Sequence, residues 1–118
     1  MQAEFGTFLR ARREALVSKD KSLTVRGLAR KIGVQPCYIS QVERGKSAPP
    51  SEARIIAIAK VLGEDPDVLL AIAGRVSSEL QEVIRKRPKV FSELIRQLKD
   101  APDHALLRVV REVRDGNW

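Results

Sequence analysis

The sequence predicts an all-α chain, and three observations carry that expectation. No stretch of useful length alternates apolar and polar residues, whereas nearly every segment fits the helical period. Apolar residues make up 43% of the 118 positions and aromatics only 4%, so the core must rest on Leu, Ile, Val and Ala. Start and stop signals also recur at short spacing. Thr24, Ser51 and Asp65-Pro66 open segments that Gly33, Gly63 and Gly74 close.

Taken in order, the first helix is expected from about Ala3 to Leu16, with Phe5, Phe8, Leu9 and Leu16 facing inward. Val17 to Leu23 reads as a polar loop. Thr24 then caps a helix from Val25 to Ile32, with Leu23 and Leu28 placed as a hydrophobic staple. Gly27 inside that helix costs about 1 kcal/mol relative to Ala, so the segment must rely on packing. Pro36, a favoured first-turn residue, begins the third helix, which stops at Gly45. Ser51 caps a fourth from Glu52 to Leu62, and Asp65-Pro66 starts a short fifth that ends before Gly74.

Beyond Gly74 the texture changes. Ser77 and Ser78 cap a helix reaching about Lys86, and Pro88 opens another through about Lys99. That helix places Val90, Phe91, Leu94, Ile95 and Leu98 on one stripe. Asp100-Ala-Pro102 opens the last, bearing Leu106, Val109, Val110 and Val113. The expected organisation is a domain over residues 1–74 and a helical extension over 75–118.

Charge narrows the function classes. The formal net charge is +7. Residues 1–60 hold twelve Lys/Arg against five Asp/Glu, and residues 61–118 hold ten of each. A basic surface confined to one half is the footprint of a polyanion binder, and by itself it fits nucleic acid and anionic lipid equally. No apolar run approaches the roughly 20 residues that span a bilayer, and the N-terminus lacks the pattern of a secretory signal. A cytoplasmic protein without membrane contact is expected. One cysteine, Cys37, and one histidine, His104, leave no basis for a metal site. No Gly-rich phosphate loop or converging Ser/His/Asp set points to a cofactor or to catalysis, so no enzyme is expected.

The most informative stretch runs from Leu28 to Lys46. A short helix, a Gly-centred turn and a second short helix form a helix-turn-helix. Ala29 is small where the helices approach, and Val34, Ile39 and Val42 supply the packed wedge. At about 100° per residue from Pro36, Ile39 and Val42 point one way, with Tyr38 flanking them. Pro36, Cys37, Ser40, Gln41 and Arg44 point the other way. An ordinary surface helix would show more Lys and Glu there. A face of short and hydrogen-bonding side chains instead lets a helix approach base edges, where Gln can pair with adenine and Arg with guanine or phosphate.

On these residues the sequence resembles the lambda-repressor and Cro-like helix-turn-helix regulators, the xenobiotic-response-element type, over about Phe5 to Ala73. The resemblance includes Phe5-Gly6, Leu9-Arg10, Arg13-Glu14, Leu28-Ala29, Gly33-Val34, the run from Tyr38-Ile39-Ser40-Gln41 to Glu43-Arg44-Gly45-Lys46, and Pro49-Pro50-Ser51. It implies a five-helix domain, a dimeric DNA-binding regulator and double-stranded DNA as partner.

Carried across, base contacts fall to Pro36, Cys37 and Gln41, with Gln35 at the helix cap and Ser40 on the same face. Phosphate contacts fall to Thr24, Val25, Arg26, Tyr38, Arg44 and Lys46. Arg13 and Glu43 match a structural ion pair. Three departures stand out: a longer loop between the first two helices, Gly27 in place of an acidic or amide residue, and Cys37 where Ser, Gln or Thr is usual. Cys37 is read as a groove contact rather than a redox sensor, since no second cysteine could resolve a sulfenic acid.

The extension over 75–118, with about three helices, is expected to form the homodimer interface. The plainer alternatives are that it caps the five-helix core or clasps another protein, as in an antitoxin-like module. Arg85-Lys86-Arg87 with Lys89 reads as a solvated helix end before it reads as an auxiliary DNA contact.

Overall fold

Helix boundaries follow the capping chemistry of the sequence. A computed structural model describes residues 2–116. Among them the order is α1 (Gln2–Val17), a 3-10 turn (Lys21–Leu23), α2 (Val25–Ile32), α3 (Pro36–Glu43), α4 (Glu52–Leu62), α5 (Pro66–Ile72), α6 (Ser78–Lys86), α7 (Pro88–Leu98) and α8 (Asp103–Arg114). Thr24 accepts the Gly27 amide at 3.1 Å, Ser51 the Arg54 amide at 3.4 Å, and Asp65 the Asp67 amide at 2.9 Å. Each bond satisfies a first-turn amide that has no partner within its helix. Gly33 and Gly63 close α2 and α4 in the left-handed conformation. The all-α expectation, five helices followed by three, holds among the described residues.

The chain divides into two compact units between Ser77 and Ser78. In the first, Phe5 and Leu9 of α1, Leu28 and Ala29 of α2, Ile39 and Val42 of α3, Ile55, Ile58 and Leu62 of α4, and Leu69 and Leu70 of α5 form one buried cluster. Burying a side chain of this size contributes about 1.5–3 kcal/mol. Phe8 and Leu16, expected inward, lie half-buried at its margin. Arg75 belongs to this unit, where its guanidinium donates to the Pro50 carbonyl at 2.7 Å.

The second unit is built differently. None of α6, α7 and α8 has a buried residue. Phe91, Leu98, Leu106 and Val109 are half-buried. Val90 and Val113 are 63% and 59% exposed, and Leu94, Ile95 and Val110 are also exposed.

The loop after α1 is more ordered than its polar composition predicts. The Asp20 carboxylate accepts from the Ser22 amide at 2.9 Å and the Ser22 hydroxyl at 2.6 Å. These bonds hold it below the usual carboxylate range and wind Lys21–Leu23 into a 3-10 turn. That turn presses against α2. A methyl group on Gly27 would sit inside contact distance of the Ser22 carbonyl oxygen and 2.7 Å from its carbon. The longer loop and the glycine are therefore one feature: the loop occupies the space a side chain would need. Gly27→Ala should lower the unfolding free energy by about 1–3 kcal/mol, although alanine is the better helix former by about 1 kcal/mol. Urea unfolding reads the sign directly, and an unchanged or raised midpoint would mean that the turn does not press on the helix.

Candidate nucleic-acid interface

The pose of α3 is set from beneath. Ile39 and Val42 are fully buried in the first unit, so α3 has one inward stripe and its opposite face is turned out. A buried ion pair fixes the rest. The Arg13 guanidinium donates to both oxygens of Glu43, Nε to Oε2 at 2.7 Å and Nη2 to Oε1 at 3.0 Å, and its Nη1 reaches the Leu23 carbonyl at 3.3 Å. The two side chains are only 8% and 5% exposed. Hydrogen bonding to Glu43 raises the Arg13 pKa further above its ordinary value, so the guanidinium stays charged. Gly6 completes the fit, since a methyl group there would stand 2.7 Å from the Glu43 carbonyl oxygen. α1 thus lies directly on the last turn of α3.

On the outward face, Gln35, Cys37 and Gln41 are exposed, and Pro36 and Ser40 are half-buried. All five expected base-contact residues thus lie on one accessible strip from the cap of α3 into its last turn. Gln35 has the extended backbone of a cap (φ −76, ψ 144) but makes no side-chain capping bond. Cys37 is an exposed free thiol. Of the expected phosphate contacts, Thr24, Arg26, Arg44 and Lys46 are exposed, and Val25 and Tyr38 are half-buried. The Thr24 hydroxyl oxygen accepts from the Gly27 amide as the cap of α2, and a hydroxyl that accepts retains its own hydrogen as a donor.

Three residues that sequence reasoning passed over belong here. Arg54, in the first turn of α4, lies over the Tyr38 ring with its guanidinium carbon 5.5 Å from the ring centroid, a contact worth about 0.5–1 kcal/mol at an exposed site. Arg10 lines a depression with Val25, Ser40 and Arg44, beside the start of α2. Ser47 donates to the Gln41 side-chain carbonyl at 3.1 Å. Only Arg10 had a local signal, three residues before Arg13 on the same helix. The other two contacts join segments that no helical period links.

A short helix, a left-handed glycine turn and a second helix over a shared apolar wedge, with a polar short-chain face turned outward, define a helix-turn-helix DNA-binding domain. The chain belongs to the helix-turn-helix domain family, the lambda-repressor-like DNA-binding domains, whose model matches residues 4–72. The match ends with α5 and includes none of α6 to α8. No curated protein and no solved structure matches the chain. Among the described residues, no helix is long and apolar enough to cross a membrane.

The cap of α3 makes a trade between stability and recognition measurable. Gln35→Ser should supply the missing capping bond and raise stability by about 1 kcal/mol. Thermal unfolding of the variant checks the gain, and no rise in midpoint would show that the α3 amides already have other partners.

Proposed function

We propose that this chain is a homodimeric transcriptional regulator, a repressor, that reads a short inverted repeat in duplex DNA by laying α3 in the major groove. The observation that carries the reading is the outward strip Gln35, Pro36, Cys37, Ser40 and Gln41, held rigid from beneath by Ile39, Val42 and the Arg13–Glu43 pair. Short side chains permit close approach, and Gln41 offers the donor and acceptor that adenine requires. Arg26, Arg44, Lys46 and the amides that open α2 would grip phosphates on either side. Cys37 is a groove contact in this arrangement.

Duplexes enriched from a random-sequence pool by the full-length protein provide the test. Gln41→Ala should cost about 1–3 kcal/mol at one base position, whereas Lys46→Ala should weaken all sequences alike and flatten the salt dependence by about one phosphate contact. If Gln41→Ala leaves both affinity and preference intact, α3 is not the reading helix.

Reading an inverted repeat needs a two-fold dimer with half-sites about 34 Å apart. We assign the dimer interface to residues 75–118. Three helices without a buried side chain lack an interior of their own, and Leu94, Ile95 and Val110 leave apolar surface for a second copy to cover. The same side chains support a second reading, an antitoxin-like module whose tail clasps a different protein. Light scattering of the full chain should give a dimer mass that falls to a monomer in a Leu94→Glu/Val110→Glu variant. A variant that stays dimeric would move the interface elsewhere, and a monomeric wild type that co-purifies with a second small chain favours the alternative.

A further inference from the structure

Gln41 is exposed, yet its side chain is tied down. The Ser47 hydroxyl donates to its amide oxygen at 3.1 Å, and Ser47 stands on a loop anchored at both ends. On the near side, the Lys46 amide donates to the Gln41 backbone carbonyl at 2.9 Å and the Gly45 amide to that of Val42 at 3.0 Å. On the far side, Pro50 is fully buried and its carbonyl accepts from Arg75 at 2.7 Å. The hydroxyl therefore reaches Gln41 from a fixed position rather than from a swinging loop.

We propose that Ser47 is a positioning residue for base recognition, holding the Gln41 amide in the plane that pairs with adenine. The argument rests on the reading that α3 enters the major groove. A free glutamine on a helix surface has three rotatable bonds, and its amide plane must be frozen when it pairs with a base. The Ser47 hydrogen bond uses one lone pair of the amide oxygen. The second lone pair is left to accept from the adenine N6 amino group, and both amide hydrogens are left to donate to N7. Ser47 needs no contact with DNA in this arrangement. It acts by removing the freedom that Gln41 would otherwise lose on binding.

The experiment uses the full-length protein, the duplex it enriches from random-sequence DNA, and that duplex with each base pair substituted in turn. The readout is discrimination, the ratio of the Kd for a substituted duplex to the Kd for the enriched one. A residue that merely supports the fold would weaken both and leave the ratio alone. Gln41→Ala should collapse discrimination at one base pair. Ser47→Ala should reduce it at that same pair by about two- to tenfold, the worth of one neutral hydrogen bond. Ser47→Thr keeps a hydroxyl and should restore it. In the Gln41→Ala background, Ser47→Ala should change nothing more. If Gln41→Ala loses discrimination while Ser47→Ala does not, or if the two effects simply add, Ser47 has no positioning role and the docking of α3 stands. If Gln41→Ala alters no position, the docking itself fails and this inference fails with it.

Discussion

The arrangement of the first unit depends on a charge pair that is almost entirely buried. Arg13 and Glu43 are thirty residues apart, and their bidentate bond joins α1 to the last turn of α3. Taking two ions out of water is costly. The cost is offset only when the remaining donors and acceptors are satisfied, which the Leu23 carbonyl does for a third nitrogen of the guanidinium. One side chain thereby fixes three segments: α1, α3 and the turn that precedes α2. Losing one partner of such a pair strands a buried charge at about 3–5 kcal/mol, whereas breaking an exposed pair such as Arg10–Glu14 leaves both groups in water. The pair orients as much as it stabilises, because the apolar wedge of Ile39 and Val42 alone would tolerate some rotation of α3 about its own axis.

What could be read from the sequence was whatever depends on near neighbours. Thr24, Ser51 and Asp65 announce helix starts because a cap bonds an amide two or three residues away, and the α-period of the apolar residues is likewise local. The core positions Leu28, Ala29, Ile39 and Val42 follow from that period together with a family pattern that matches residues 4–72. Gly27 shows where such reasoning stops. Its propensity cost is visible in the sequence, but its cause is the Ser22 carbonyl, placed there by a turn whose shape no periodicity encodes. Arg54 over Tyr38 and Ser47 on Gln41 are of the same kind. Each joins one helix to a residue beyond its end, and each became visible only once the loop between α3 and α4 had a path.

The two units turn similar sequence patterns into different outcomes. Stripes of Leu, Ile and Val at helical spacing run through both. In the first they converge, with Phe5 and three alanines, into an interior of thirteen buried members among the described residues. In α6 to α8 they leave every helix without a buried residue. Periodicity establishes that a helix has an apolar face, but it carries no information about what that face meets. A 118-residue chain can therefore look uniform to a pattern search and still place almost all of its close packing in its first two thirds.

The contact between the 3-10 turn and α2 ties the evolution of two positions together. A deletion that shortens the segment from Val17 to Leu23 would open a hollow above Gly27, and a bulkier residue at 27 would evict the turn, so neither change is neutral alone. Drift at this corner has to proceed by paired insertion or deletion and substitution, and loop length should covary with side-chain size at position 27 among descendants of this sequence.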